Sequence, residues 1–142
     1  MFADMSQQHP EDMLTYFRGA DLAFAKRNWK DVEENAEAAL ARLDRQGQPQ
    51  FLVNLGLMLL LTPGQRSKAE AILEEAAELI QHGDPTVHIV LSLLEQNENP
   101  DRAAAFDRTA RILWPGSLKN LDVKKERLHA DLVAHGIIRS DS

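Results

Sequence analysis

The chain has 142 residues, no cysteine and a formal net charge of −6 at pH 7. Its length suits one domain with its own core, and the lack of cysteine excludes disulfides, thiolate nucleophiles and thiolate metal sites. Over residues 1–100 there are 16 acidic residues against 8 basic ones, which argues against a nucleic-acid-binding surface there.

Neither a targeting signal nor a membrane span is predicted. Residues 1–12 contain acids and lack a basic segment followed by an apolar one, so we expect no secretory signal. Together with the absent cysteine, this favours a cytoplasmic location. Residues 51–61 (FLVNLGLMLLL) carry no charge, but they are too few for the roughly 20 residues that span a bilayer. We therefore predict that this run is buried in protein.

Good helix formers dominate and β-branched runs are missing, so the sequence predicts an all-α chain. Prolines, glycines and capping residues divide it into seven helices, at about residues 10–27, 29–45, 49–61, 67–83, 85–97, 100–114 and 118–135. Asn28 and Asn99 are predicted N-caps, residues 67–70 (SKAE) a capping box, and Gly136 a C-terminal stop. Short loops between these helices indicate antiparallel hairpins.

Small residues recur along the chain with a period of 34 to 37 residues. They are Ala20, Gly56 and Ser92 in the first helices of the pairs, and Ala39, Ala76 and Ala110 in the second helices. A fixed period of this length is typical of helical repeats, in which each pair packs on its neighbours.

The first pair, residues 18–44 (RGADLAFAKRNWKDVEENAEAALARLD), resembles the tetratricopeptide repeat family. Ala20 stands at the family's small position, Trp29 at its turn aromatic, and Ala36 and Ala39 at its second-helix alanines. The other two copies lack the turn aromatic. The resemblance implies a single domain over residues 1–142: a right-handed α-α superhelix of three hairpins, at about 13–47, 49–83 and 85–116, with a capping helix at about 118–135.

The same resemblance implies a concave groove formed by the first helices. The groove residues it predicts are Leu14, Phe17, Asp21, Phe24, Val53, Asn54, Leu57, Leu60, Leu61, Ile89, Leu93 and Gln96. Most are large and apolar, which favours a groove for a helical or extended apolar segment of a partner protein. Alternatively, the N-terminal segment, the seventh helix or a second copy of the chain fills the groove. The family's carboxylate clamp is not expected, because Phe17 and Asp21 occupy the clamp positions.

No arrangement of residues predicts catalysis. Glu126 and His129 have the Glu-x-x-His spacing of di-iron bundles, but the required second motif is missing. Phosphate loops, nucleophile elbows, zinc-binding helices and calcium loops are missing too. We therefore expect no enzyme, metal or cofactor, and predict an adaptor or chaperone that binds protein. The alternative is a self-assembling scaffold, a homo-oligomer whose groove holds another copy.

Trp114 is predicted either to pack against the seventh helix or to lie on an interface.

Overall fold

The computed structural model describes residues 10–80 and 84–138. Over these residues it has seven helices and no strand, which confirms the predicted all-α class. The helices are α1 (Pro10–Ala25), α2 (Trp29–Arg42), α3 (Pro49–Leu61), α4 (Arg66–Leu79), α5 (Thr86–Glu95), α6 (Pro100–Leu113) and α7 (Leu118–Ala134). The predicted end of the fourth helix near residue 83 lies outside the described residues. The stacking of three hairpins into a superhelix stays a prediction.

Two of the predicted helix ends form as expected. The Asn99 side chain accepts a hydrogen bond from the backbone N–H of Arg102 at 3.4 Å and so caps α6. Gly136 follows α7 with φ +74°, a left-handed conformation that favours glycine. The N–H of Ile137 then donates back to the carbonyl of Leu132 at 2.9 Å, which satisfies one of the last helical carbonyls.

Two other ends differ from the predictions. The Asn28 side chain accepts no backbone N–H at the start of α2, and its amide nitrogen donates to the carboxylate of Asp31 at 2.7 Å. Ser67 lies inside the first turn of α4 rather than at its cap, since the helix begins at Arg66. Asn and Ser side chains readily form hydrogen bonds with nearby backbone groups. The group that each side chain meets therefore depends on the exact residue at which the helix begins.

The chain divides into two compact units, Met1–Ala76 and Ala77–Ser142. In the first unit α1 packs along α2, and α2 also faces α4. Three polar pairs connect these two helices. Arg45, in the loop after α2, pairs with Glu75 of α4. On α2, Glu33 pairs with Gln65, which directly precedes α4, and Glu37 pairs with Lys68 of α4. The boundary between the units falls within α4, and the assignment of residues 1–142 to one domain stays a prediction.

The uncharged helix α3 supplies much of the apolar core. Seven of its 13 residues are buried, which accounts for the apolar run at residues 51–61. Gly56 lets α3 approach α4 closely, because a Cβ there would lie 2.9 Å from Cδ2 of Leu73. Within the described ranges no helix is long and apolar enough to cross a membrane.

In the second unit, α5 is buried along nearly its whole length, from residue 87 to residue 94. It packs against α6, where the hydroxyl of Ser92 donates to the carbonyl of Ala103 at 2.9 Å. It also contacts α7, which buries Leu121 and Leu132. All six small residues of the 34- to 37-residue period are buried in the two units. The periodic pattern therefore marks positions of close packing.

Candidate protein-binding surface

The most exposed side of α3 carries no charge. Gln50, Asn54, Leu57 and Leu61 follow one another at helical spacings of four, three and four residues, so they share one face. Gln50 is exposed, and the other three are half-buried. A helix side that meets only water usually carries charged residues. Here it presents two leucines and two amides.

A second set of partly exposed apolar side chains lies on α1. Leu14, Phe17 and Phe24 are half-buried on one face, with the exposed Asp21 between them. The ring of Phe17 meets the ring of Phe51 edge to face, with centroids 5.1 Å apart. Because Phe51 lies in the first turn of α3, this contact brings α1 and α3 side by side in the first unit. Their partly exposed apolar residues Leu14, Phe17, Phe24, Leu57 and Leu61 are called the α1–α3 surface below.

The twelve predicted groove residues differ in how much of each side chain reaches the surface. Val53, Leu60, Ile89 and Leu93 are buried. Leu14, Phe17, Phe24, Asn54, Leu57, Leu61 and Gln96 are half-buried, and Asp21 is exposed. A buried side chain can contact a partner only if its neighbours move. In the first unit, the predicted groove residues that a partner can reach are therefore chiefly the half-buried ones. Their role in binding stays a prediction.

In the second unit, two predicted groove residues face α7. Leu93 and Gln96 line a cavity of about 400 Å³. The rest of its lining comes from α7: Asp122, Lys125, Glu126 and His129. Glu126 and His129, the pair with Glu-x-x-His spacing, thus share the wall of one cavity. Across the described part of the chain, however, no group of three or more His, Cys, Asp and Glu side chains could hold a metal ion.

A network of ion pairs joins α6 to α7 beside this cavity. The carboxylate of Asp107 accepts hydrogen bonds from Arg111 at 2.8 Å and from Lys125 at 2.9 Å. Arg111 also lies 3.5 Å from the carboxylate of Asp122. These pairs complement the few leucines that α7 buries. The pair between the two helices could not be predicted from the sequence, because Asp107 and Lys125 are 18 residues apart on different helices.

The network changes the pKa values of Asp107 and Arg111. Partial burial acts to raise the pKa of Asp107, but the hydrogen bonds from Arg111 and Lys125 outweigh burial and lower it. The hydrogen bond to Asp107 raises the pKa of Arg111. A carboxyl whose pKa is lowered by folding stabilises the fold above its unfolded pKa, and that contribution disappears as the pH falls through the folded value. The ion pair of Asp107 with Lys125, which joins α6 to α7, therefore keeps both of its charges at neutral pH.

One buried polar group stands apart from these surfaces. His88 lies on α5 with its Nε2 3.0 Å from the carbonyl oxygen of Ile80, and its ring is 6.4 Å from that of Phe106. Its Nδ1 is buried and has no hydrogen-bond partner among the described residues. These contacts make His88 a packed core residue of the second unit.

Comparison with known proteins adds no family assignment. No protein-family model, curated protein or solved structure matches this chain.

Proposed function

We propose that the chain is a non-catalytic protein-interaction module, an adaptor or chaperone. It binds the apolar side of an amphipathic helical segment of another protein. The observation that carries this proposal is the side of α3 that reaches the surface without a single charge and presents Leu57 and Leu61. The first turn of the same helix contacts Phe17 of α1 through Phe51. Apolar side chains that reach the surface on a helix side without charges favour a binding role.

The geometry suits a helical ligand. Leu57 and Leu61 are one turn apart on α3, and Phe17 of α1 lies beside the start of the same helix through its contact with Phe51. An amphipathic helix laid on such a surface would insert side chains at positions i, i+3 or i+4, and i+7. Burial of three or four large side chains contributes about 5 to 10 kcal/mol before the cost of ordering both partners.

Two further parts of the proposal rest on the sequence. The resemblance to the tetratricopeptide repeat family rests on the residues of the first pair and on the periodic small residues, whose burial supports close packing between helices. The lack of cysteine supports a reducing compartment such as the cytoplasm.

The test is an affinity pull-down of the tagged chain from its native host, followed by mass spectrometry. The unsubstituted chain is compared with Leu57→Glu, which places a charge on the α1–α3 surface. The matched control is Ile112→Glu on α6, where the side chain is 82% exposed. Circular dichroism checks that both variants keep their helices. We expect one stoichiometric protein that the Leu57 variant loses and the Ile112 variant retains.

Other results would overturn the proposal. A partner that binds both variants equally would place the binding surface elsewhere. Recovery of only other copies of the chain, lost with Leu57→Glu, would instead favour the self-assembling scaffold, with the α1–α3 surface as its contact.

A further inference from the structure

A second cavity, of about 430 Å³, lies in the second unit beside the loop that joins α6 to α7. Its lining consists of Trp114, Asn120, Val123, Lys124, Arg127 and Leu128. Five of these residues are on α7, and Trp114 directly follows α6. The volume lies in the range of cavities that hold small organic molecules.

The loop between the helices fixes the aromatic wall of this cavity. The indole N–H of Trp114 donates to the carbonyl oxygen of Ser117 at 2.9 Å. Ser117 in turn caps α7, because its hydroxyl accepts the backbone N–H of Asn120 at 3.3 Å. Gly116 leaves room for the ring, since a Cβ there would lie 3.2 Å from the indole nitrogen. The ring is therefore held in place without a ligand, which lowers the ordering cost of binding.

The cavity also carries two positive charges, on Lys124 and Arg127. Lys124 and Arg127 are one helical turn apart, and neither forms an ion pair or hydrogen bond with any described residue. By contrast, the neighbouring Lys125 is bound to Asp107 at 2.9 Å. Beside the free cations, Val123 remains 42% exposed. These cations, which have no partner among the described residues, and the exposed apolar surface next to them are both available to a ligand.

We propose that this cavity binds an organic anion with an apolar body, of the carboxylate class. The carboxylate lies between Lys124 and Arg127 and accepts hydrogen bonds from both. Because donor and acceptor are charged, these bonds are stronger than hydrogen bonds between neutral groups. The apolar body lies against Trp114, Val123 and Leu128, and the side-chain amide of Asn120 offers one more hydrogen bond. This arrangement gives the tryptophan of the Trp-Pro-Gly-Ser loop a role beyond packing. The site is separate from the α1–α3 surface and does not depend on the protein-binding proposal.

The probe is octanoate, and the reporter is the fluorescence of Trp114. The chain has two tryptophans, so Trp29→Phe leaves Trp114 as the only one. Titration with octanoate should change its emission in a saturable way. Isothermal titration calorimetry on the unsubstituted chain provides a second readout that does not depend on the Trp29 variant. No saturable binding by either method would overturn the proposal.

Two comparisons test the two halves of the ligand. 1-Octanol has the apolar body without the charge, and acetate has the charge with almost no body, so both should bind much more weakly than octanoate. Equal binding of octanol would show that the site recognises only the apolar body of the ligand, which would contradict the proposed role of Lys124 and Arg127. Equal binding of acetate would reduce it to nonspecific ion association.

Charge substitutions complete the test. In the double variant Lys124→Gln, Arg127→Gln, the affinity for octanoate should fall about tenfold. The matched control Arg108→Gln, Lys119→Gln removes two other exposed cations and should bind as the unsubstituted chain does. An equal loss in both double variants would show a general charge effect and contradict the site. Leu57→Glu should leave octanoate binding unchanged, which separates this proposal from the protein-binding one.

Discussion

Replacement of Gly56 by alanine tests the close packing of α3 on α4. A Cβ at residue 56 would lie 2.9 Å from Cδ2 and 3.0 Å from Cγ of Leu73, and 3.2 Å from Cγ2 of Ile72. All three distances are shorter than ordinary van der Waals contact. Leu73 is fully buried, so its side chain cannot turn into solvent to make room.

Two opposing effects decide the result. Alanine in the middle of a helix is more favourable than glycine by about 1 kcal/mol. An extra carbon forced into a packed core costs about 1 to 3 kcal/mol. Because the contact falls on a fully buried side chain, we expect the cost to exceed the gain, and the free energy of unfolding to fall by about 1 kcal/mol.

Gly19→Ala is the matched control, because Gly19 is also inside a helix. There a new Cβ would lie 3.0 Å from Cγ and Oδ1 of Asn35. Asn35 is only half-buried, and its amide makes one local hydrogen bond, to the carbonyl of Asp31. The side chain can turn toward solvent at little cost, so the helix propensity gain should dominate. We expect unchanged or slightly increased stability.

Urea unfolding followed by circular dichroism measures both variants. The midpoint should fall for Gly56→Ala and stay equal or rise for Gly19→Ala. If both variants became more stable by the same amount, α3 would not approach α4 as closely as described, and the packing account of the repeated small residues would be wrong.

Three further outcomes follow from the described contacts. Leu60→Glu should unfold the chain at room temperature, because it places a carboxylate where the native side chain is fully buried, whereas Leu57→Glu should keep the native circular dichroism spectrum. Asp107→Asn should speed amide hydrogen exchange in α7 at pH 7. In thermal melts its destabilisation should shrink as the pH falls below about 4, the ordinary pKa of an unfolded Asp, and vanish below the lowered pKa of the folded carboxyl. Asn99→Ala should lower the free energy of unfolding by about 0.5 kcal/mol, because the cap hydrogen bond is long at 3.4 Å; no change would show that the cap is inactive.

The helices could be predicted because their ends depend on local chemistry. Pro49 and Pro100 open helices at the first position, and Gly136 ends one with a left-handed conformation, so each boundary is encoded by the residue itself. The small residues were also informative. Gly56 and Ser92 recur because a neighbouring helix passes close to them, and that requirement leaves a period in the sequence.

The surface could be predicted only in outline. Leu57 and Leu60 are the same residue type in one helix, yet one is half-buried and the other fully buried. Their exposure depends on which neighbours pack against α3, and composition does not contain that information. The pairing of Asp107 with Lys125 was missed for the same reason, since it requires two helices to be placed in space.

Site-specific photo-cross-linking in the native host tests the central claim most directly. A photoreactive phenylalanine derivative replaces Leu57 on the α1–α3 surface, and in a second strain it replaces the exposed Ile112 on α6. The protein-binding account predicts one cross-linked partner protein from residue 57 and none from residue 112, with the partner peptide forming an amphipathic helix. Cross-links from residue 112 alone, or no cross-link to another protein from residue 57, would contradict it.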